Sequence, residues 1–245
     1  MQVIRKYKLW CLFAIVLFAG FATVVLETAA SRDNSTGPPR PIVPRQQPDA
    51  AHRTRILLAG IPQHGSLLGR PDAPVTLQFF GDLQCRDSRQ VMLGALPFLI
   101  RRWVRTGKLR IRFRALETDT FKAGGFSEFA EQQGAALAAG NEGKLWNFVD
   151  AFYREQGPEF TGYVDRAFLD RIAKEAGLEI PFWEREREPG LWELRLLGER
   201  LKANHAGVYV TPAFLIGRTG SKPRLLRHFG LEEPRVFDEA IKELL

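Results

Sequence analysis

Apolar and polar positions divide the chain into stretches of different period. Leu9–Leu26, "LWCLFAIVLFAGFATVVL", carries no charge and is long enough to cross a bilayer as one helix. From Ser31 to Arg55 apolar residues thin out while Pro38, Pro39, Pro41, Pro44 and Pro48 follow one another, which predicts a semi-extended tether. A globular pattern starts near Ile56. Val75–Phe80 reads as a buried strand closed by Gly81 and Asp82, and "SRQVMLGALPFLIRRWVRTG" after Cys85 reads as a helix kinked at Pro97. Leu109, Ile111 and Phe113 then alternate with Arg110, Arg112 and Arg114, the period of a half-exposed strand with its arginines on a solvated face. A strand, a helix and a strand in this order predict parallel pairing.

Between Ser127 and Ala203 the period becomes helical. Leu145, Phe148, Val149 and Phe152 form one apolar face, Phe168, Leu169, Ile172, Ala173 and Ala176 a second, and "LWELRLLGERLKANHAG" predicts a third helix. Strand pattern returns in "TPAFLIG" and "PRLLRHFG", joined by the turn-like "RTGSK", and a helix from about Glu232 to Leu244 closes the chain with Pro234 in its first turn. The expected class is α/β, a mixed sheet flanked by helices with an inserted helical subdomain. Its parts are an anchor at 1–30, a Pro-rich linker at 31–55 and a folded domain at 56–245, with the insertion at about 122–203.

Composition sharpens this picture. A chain of 245 residues with 45% hydrophobic content can bury a substantial core, which excludes a disordered protein. Arg5, Lys6 and Lys8 before the apolar run predict a cytoplasmic N-terminus, and hence a single-pass protein with its C-terminal domain outside the cytoplasm. "ETAAS" after the run offers a cleavage site, but the run exceeds a signal peptide's usual apolar length, so an uncleaved anchor is expected. The net charge of +7 suits anionic partners. Nucleic acid is not expected among them, because the basic run Arg101–Arg114 carries no base-stacking aromatics on its arginine face. The two cysteines, Cys11 and Cys85, form no disulfide framework and no zinc spacing. His52, His64, His205 and His228 show no ligand spacing either, so no metal and no cofactor is expected.

The chemistry gathers at Cys85. A cysteine where a strand gives way to a helix lies at the positive end of the helix dipole, near backbone N–H groups without intrahelical partners. Arg86 adds a cation and Asp87 opposes it, so the expectation is a lowered thiol pKa. Ser88, three residues on, faces the same side of the first turn, where its hydroxyl can donate to the sulfur.

Three features in order, "GIPQHGSLLGRPDAPVTLQFFGDLQCRDSR", the helical insertion and "NHAGVYVTPAFLIG", resemble the DsbA-like branch of the thioredoxin-fold disulfide oxidoreductases. The resemblance covers the chain from about Gly60 onward. It implies that Cys85 is the first cysteine of a redox site, and that Thr211-Pro212 forms a cis peptide beside it. Backbone groups at Val210 and Thr211 would then pair with an extended substrate, with Arg86 at the rim. Ser88 stands where the family has its second cysteine, and Phe79 where it often has a buried acid. The implied catalytic residues are Cys85, Ser88 and Pro212. The implied partners are exported proteins with cysteines, or a low-molecular-weight thiol. Without a second thiol the site can neither donate an internal disulfide nor resolve a mixed one. Two functions remain open: exchange through a single nucleophilic cysteine, and a redox-inactive, membrane-tethered peptide-binding or chaperone-like module.

Overall fold

The computed structural model describes residues 49–120, 125–188 and 190–245. Helix α1 (Ala50–Leu58) opens on Asp49, whose carboxylate accepts from the His52 N–H at 2.6 Å. It buries Ala50, Thr54, Leu57 and Leu58, so it takes in the last residues of the expected tether. Its apolar face is narrow and its exposed face carries Arg53 and Arg55, which is why no helical stripe stands out in the sequence. The expected span Leu9–Leu26 lies outside the described residues. Among those described, no helix is long and apolar enough to cross a membrane.

A six-stranded sheet in the order β1-β2-β4-β3-β5-β6 organises the domain. The short pair β1 (Gln63–His64) and β2 (Leu67–Leu68) forms an antiparallel edge. β3 (Val75–Gly81) runs parallel to β4 (Leu109–Ala115), as the strand-helix-strand order predicts. On its other side β3 pairs antiparallel with β5 (Ala213–Arg218), which pairs with β6 (Arg224–Leu226).

The link from β3 to β4 is three helical pieces. α2 (Arg86–Leu93) stops at Gly94, α3 (Ala95–Leu99) restarts, and a π-helical turn follows at Ile100–Val104. The expected kink therefore falls at Gly94, in the turn before Pro97, where the missing proline N–H interrupts the bonding ladder. A Cβ on Gly94 would stand 2.7 Å from the Gln90 carbonyl oxygen and 2.8 Å from the Glu232 Cα. Both are backbone atoms, so Gly94→Ala is expected to lower stability by about 1–3 kcal/mol, read as a smaller urea midpoint at unchanged slope.

The insertion comprises α4 (Gly125–Asn141), α5 (Leu145–Glu155), α6 (Arg166–Ala176), α7 (Ile180–Glu186) and α8 (Glu193–His205), and α9 (Arg235–Leu244) closes the fold. The predicted stripes are core: Phe148, Val149 and Phe152 of α5 and Leu169 and Ile172 of α6 are fully buried with Trp146 and Trp183. α1 is tied to α5 by a buried polar link in which the Thr54 hydroxyl and the Arg154 guanidinium both donate to Asp150.

The alternation on β4 holds, but its arginines are half-buried rather than solvated. Arg110 donates to the Thr76 hydroxyl and the Pro71 carbonyl, and Arg114 to Gln78 and Glu199. The reason is α8. It packs Ala203 against Phe80, Leu116, Val208, Ala213 and Leu215, covering the sheet face that the arginines share.

Candidate active site

Cys85 is the N-cap residue of α2, directly beyond β3, and is 3% exposed. Its thiol donates to the Thr211 carbonyl oxygen at 3.5 Å. The Thr211-Pro212 peptide bond is cis and leads into β5, so the ends of β3 and β5, neighbours in the sheet, bring Cys85, Thr211 and Pro212 together. Val210 is 66% exposed just before them. Arg86 is exposed, and its backbone N–H donates to Glu159 at 2.9 Å, so a carboxylate already caps one free donor of the helix terminus. The Gln156 amide donates to the Leu83 and Cys85 carbonyls, fixing the turn before α2 from the insertion side.

Ser88 is fully buried, with its hydroxyl beside the Cys85 sulfur and the Tyr153 phenol. It lies on the side from which donation would favour the thiolate. Phe79 occupies the interior of β3, stacked on Phe214 at 5.0 Å and edge-on to Phe113 at 5.6 Å. The core position where the family often carries an acid is thus an aromatic cluster. His205 is exposed at the end of α8.

The expected lowering of the thiol pKa is reversed. Burial pushes the Cys85 thiol above its ordinary value, and the protonated thiol is further favoured by the Asp119 carboxylate. The Thr211 side chain, the Ser88 N–H and the Ser88 hydroxyl act in the opposite direction without overcoming burial. Tyr153 lies beside the site, fully buried, with its hydroxyl donating to the Asp82 carbonyl at 2.9 Å and its phenol raised well above the ordinary range by burial.

One residue that organises the site goes unnoticed in the sequence. Asp82, fully buried, receives the N–H groups of Thr118, Asp119 and Thr120 on one carboxylate oxygen at 2.8 to 2.9 Å. Its other oxygen accepts the Gln84 N–H at 3.0 Å and the Thr120 hydroxyl. The loop it holds carries Thr118, bonded hydroxyl to hydroxyl with Thr211, and Asp119, which acts on Cys85. In sequence Asp82 reads only as the turn residue that ends a strand.

A cysteine capping a helix, beside a cis-proline strand end at one edge of a central mixed sheet, defines the site of a thioredoxin fold. A family model described as thioredoxin, Thioredoxin_4, matches residues 63–224, and the chain belongs to this family in its DsbA-like form. Probable disulfide bond formation protein D of Bacillus anthracis is 28% identical over 108 residues, 44% of this chain and 48% of that protein. The Bacillus cereus protein of the same name matches equally. The matched region thus spans about half the length of these relatives. Among solved structures, oxidised BdbD from Bacillus subtilis has a TM-score of 0.61 at 15% identity, covering 75% of this chain and 96% of its own. Wolbachia pipientis alpha-DsbA1 has a TM-score of 0.59 at 20% identity, covering 78% and 94%. These structures share the fold.

Proposed function

We propose that this chain is a membrane-anchored, exported monothiol exchange protein whose nucleophile is Cys85. The observation that carries the reading is the contact of the Cys85 sulfur with Thr211, next to cis Pro212, at the start of α2. In the forward step the Cys85 thiolate attacks a client disulfide, forms a mixed disulfide and expels the second client sulfur as a thiolate. Release needs an external thiolate, which attacks the client sulfur and frees Cys85. Ser88 stands in the place of a resolving thiol and supplies a hydroxyl donor instead. Val210 and Thr211 offer backbone groups to an extended client strand beside Pro212, with Arg86 at the rim. The partners are exported proteins with cysteines or a low-molecular-weight thiol. The domain would sit outside the cytoplasm, held by the segment 1–30 and the linker that follows it.

One observation favours a second reading, a tethered peptide-binding module without redox chemistry: burial pushes the thiol up and leaves it 3% exposed. The deciding experiment incubates the chain with glutathione disulfide and weighs the products. A glutathione adduct on Cys85 that disappears in Cys85→Ser supports exchange. Its absence after prolonged incubation at alkaline pH leaves the binding module.

The raised thiol also sets a pH dependence. A thiol held protonated by burial releases its proton only above the ordinary cysteine value, so reactivity is suppressed at neutral pH and rises in alkali. Alkylation of Cys85 by iodoacetamide is expected to have its midpoint above about 8.5. A midpoint below that value would show that the helix terminus outweighs burial.

A further inference from the structure

α1 and the α3–π-turn segment flank a groove of about 650 Å³. Its floor is apolar, made by Ile56, Leu93 and Pro97, and Ile56 is 62% exposed there. Its walls are cationic. Arg53 and Arg101 are both exposed and have no carboxylate partner among the described residues. Arg105 uses its guanidinium to bind the Ile56, Leu57 and Ala59 carbonyls at the end of α1, which fixes the charge at the groove without neutralising it. The fourth arginine, Arg154, is matched by Asp150. Two unpaired guanidiniums, with that of Arg105 held on the α1 carbonyls, thus flank an open apolar floor large enough for a small ligand.

We infer that this groove docks the domain on an anionic phospholipid surface, Arg53 and Arg101 taking the phosphates and the exposed Ile56 meeting the acyl boundary. Two observations select this occupant. The charge is complementary to anionic headgroups, and the apolar floor gives a lipid a second contact that a free phosphate would not use. The second observation is where the chain enters. The described residues begin at Asp49, the N-cap of α1, whose next turn carries His52, Arg53 and Ile56. Residues 27–48 separate this point from the apolar run, a reach on the order of 70 Å at full extension. A tether of that length lets the groove reach the surface in which the run would sit. Biologically the inference rests on the anchored reading above, and the two are tested separately.

Gln47–Leu245 is a compact unit whose strands pair internally and whose core is its own, so it serves as the test molecule without the apolar run. Flotation with phosphatidylcholine vesicles is compared with flotation on vesicles containing about 30% phosphatidylglycerol. At about a fivefold change in affinity per basic residue near the surface, the anionic vesicles are expected to bind at least tenfold more strongly. Arg53→Glu combined with Arg101→Glu removes at least tenfold of that partition, whereas Lys222→Glu with Arg224→Glu, an equal change in net charge on the β5–β6 hairpin, stays within about threefold of the parent. Circular dichroism confirms that each variant is folded. Equal binding to both vesicles, binding to neither, or an equal loss in both charge pairs would overturn the inference. Failure of the full chain to enter membranes would instead refute the anchor alone.

Discussion

Asp82→Asn is expected to lower the stability of the domain by about 3–5 kcal/mol, although the substitution preserves shape. The native carboxylate accepts five hydrogen bonds with no exposure to water. Asparagine keeps one acceptor oxygen, so its amide N–H₂ must face either the Thr118, Asp119 and Thr120 N–H groups or the Gln84 N–H and Thr120 hydroxyl. Every buried donor left without a partner costs about 1–3 kcal/mol, and the lost bonds are charge-assisted, hence the stronger kind. For a domain of this size the loss corresponds to roughly 10 °C in Tm. Thermal melting followed by circular dichroism checks it. The loop holding Thr118 and Asp119 should loosen as well, so Cys85 is expected to be alkylated faster in the variant at one fixed pH. A stability loss below about 1 kcal/mol would show that water replaces the carboxylate without penalty.

Ser88→Cys is expected to turn the site into one that closes its own disulfide. A residue three positions after the N-cap faces it across the first turn, and Ser88 is already buried on that side. In the unit Gln47–Leu245, which lacks Cys11, the parent should show a single titratable thiol after unfolding, and the oxidised variant none. The variant should also catalyse reduction of insulin by dithiothreitol at least tenfold faster than the parent, because the second thiolate can now resolve the mixed disulfide within the molecule. Persistence of two free thiols under excess glutathione disulfide would mean that the first turn is not arranged for exchange. The peptide-binding reading would then stand.

The parts of the fold that local pattern governs were legible. β3 and β4 follow from a buried run and a strict alternation, and the α5 and α6 stripes point inward as their spacing predicts. Cys85, Thr211 and Pro212 were legible as a set through motif order, and the sheet brings them together. What escaped depends on partners distant in sequence. Asp82 draws its donors from Thr118–Thr120, and Asp150 is met by Thr54 from a helix whose own apolar face is too narrow to announce it. The thiol's upward shift follows from how tightly the insertion and the Asp82-held loop close over the sulfur, a property of packing that no window of sequence contains. The half-burial of the β4 arginines has the same origin, since only the packed α8 shows that their face is covered.

Glu159 caps the Arg86 N–H, Asp87 stands in the first turn of α2 and Asp119 acts on the thiol, so three carboxylates gather at this turn beside Arg86 and Arg89. The turn is rich in carboxylate on a chain whose net charge is +7, of which +4 arises within residues 1–48. On the exchange reading proposed above, a client cysteine flanked by aspartate or glutamate would meet these carboxylates over the last few ångströms of its approach. A cysteine set among neutral or basic neighbours would not. Selection of that kind would need no pocket that recognises a side chain.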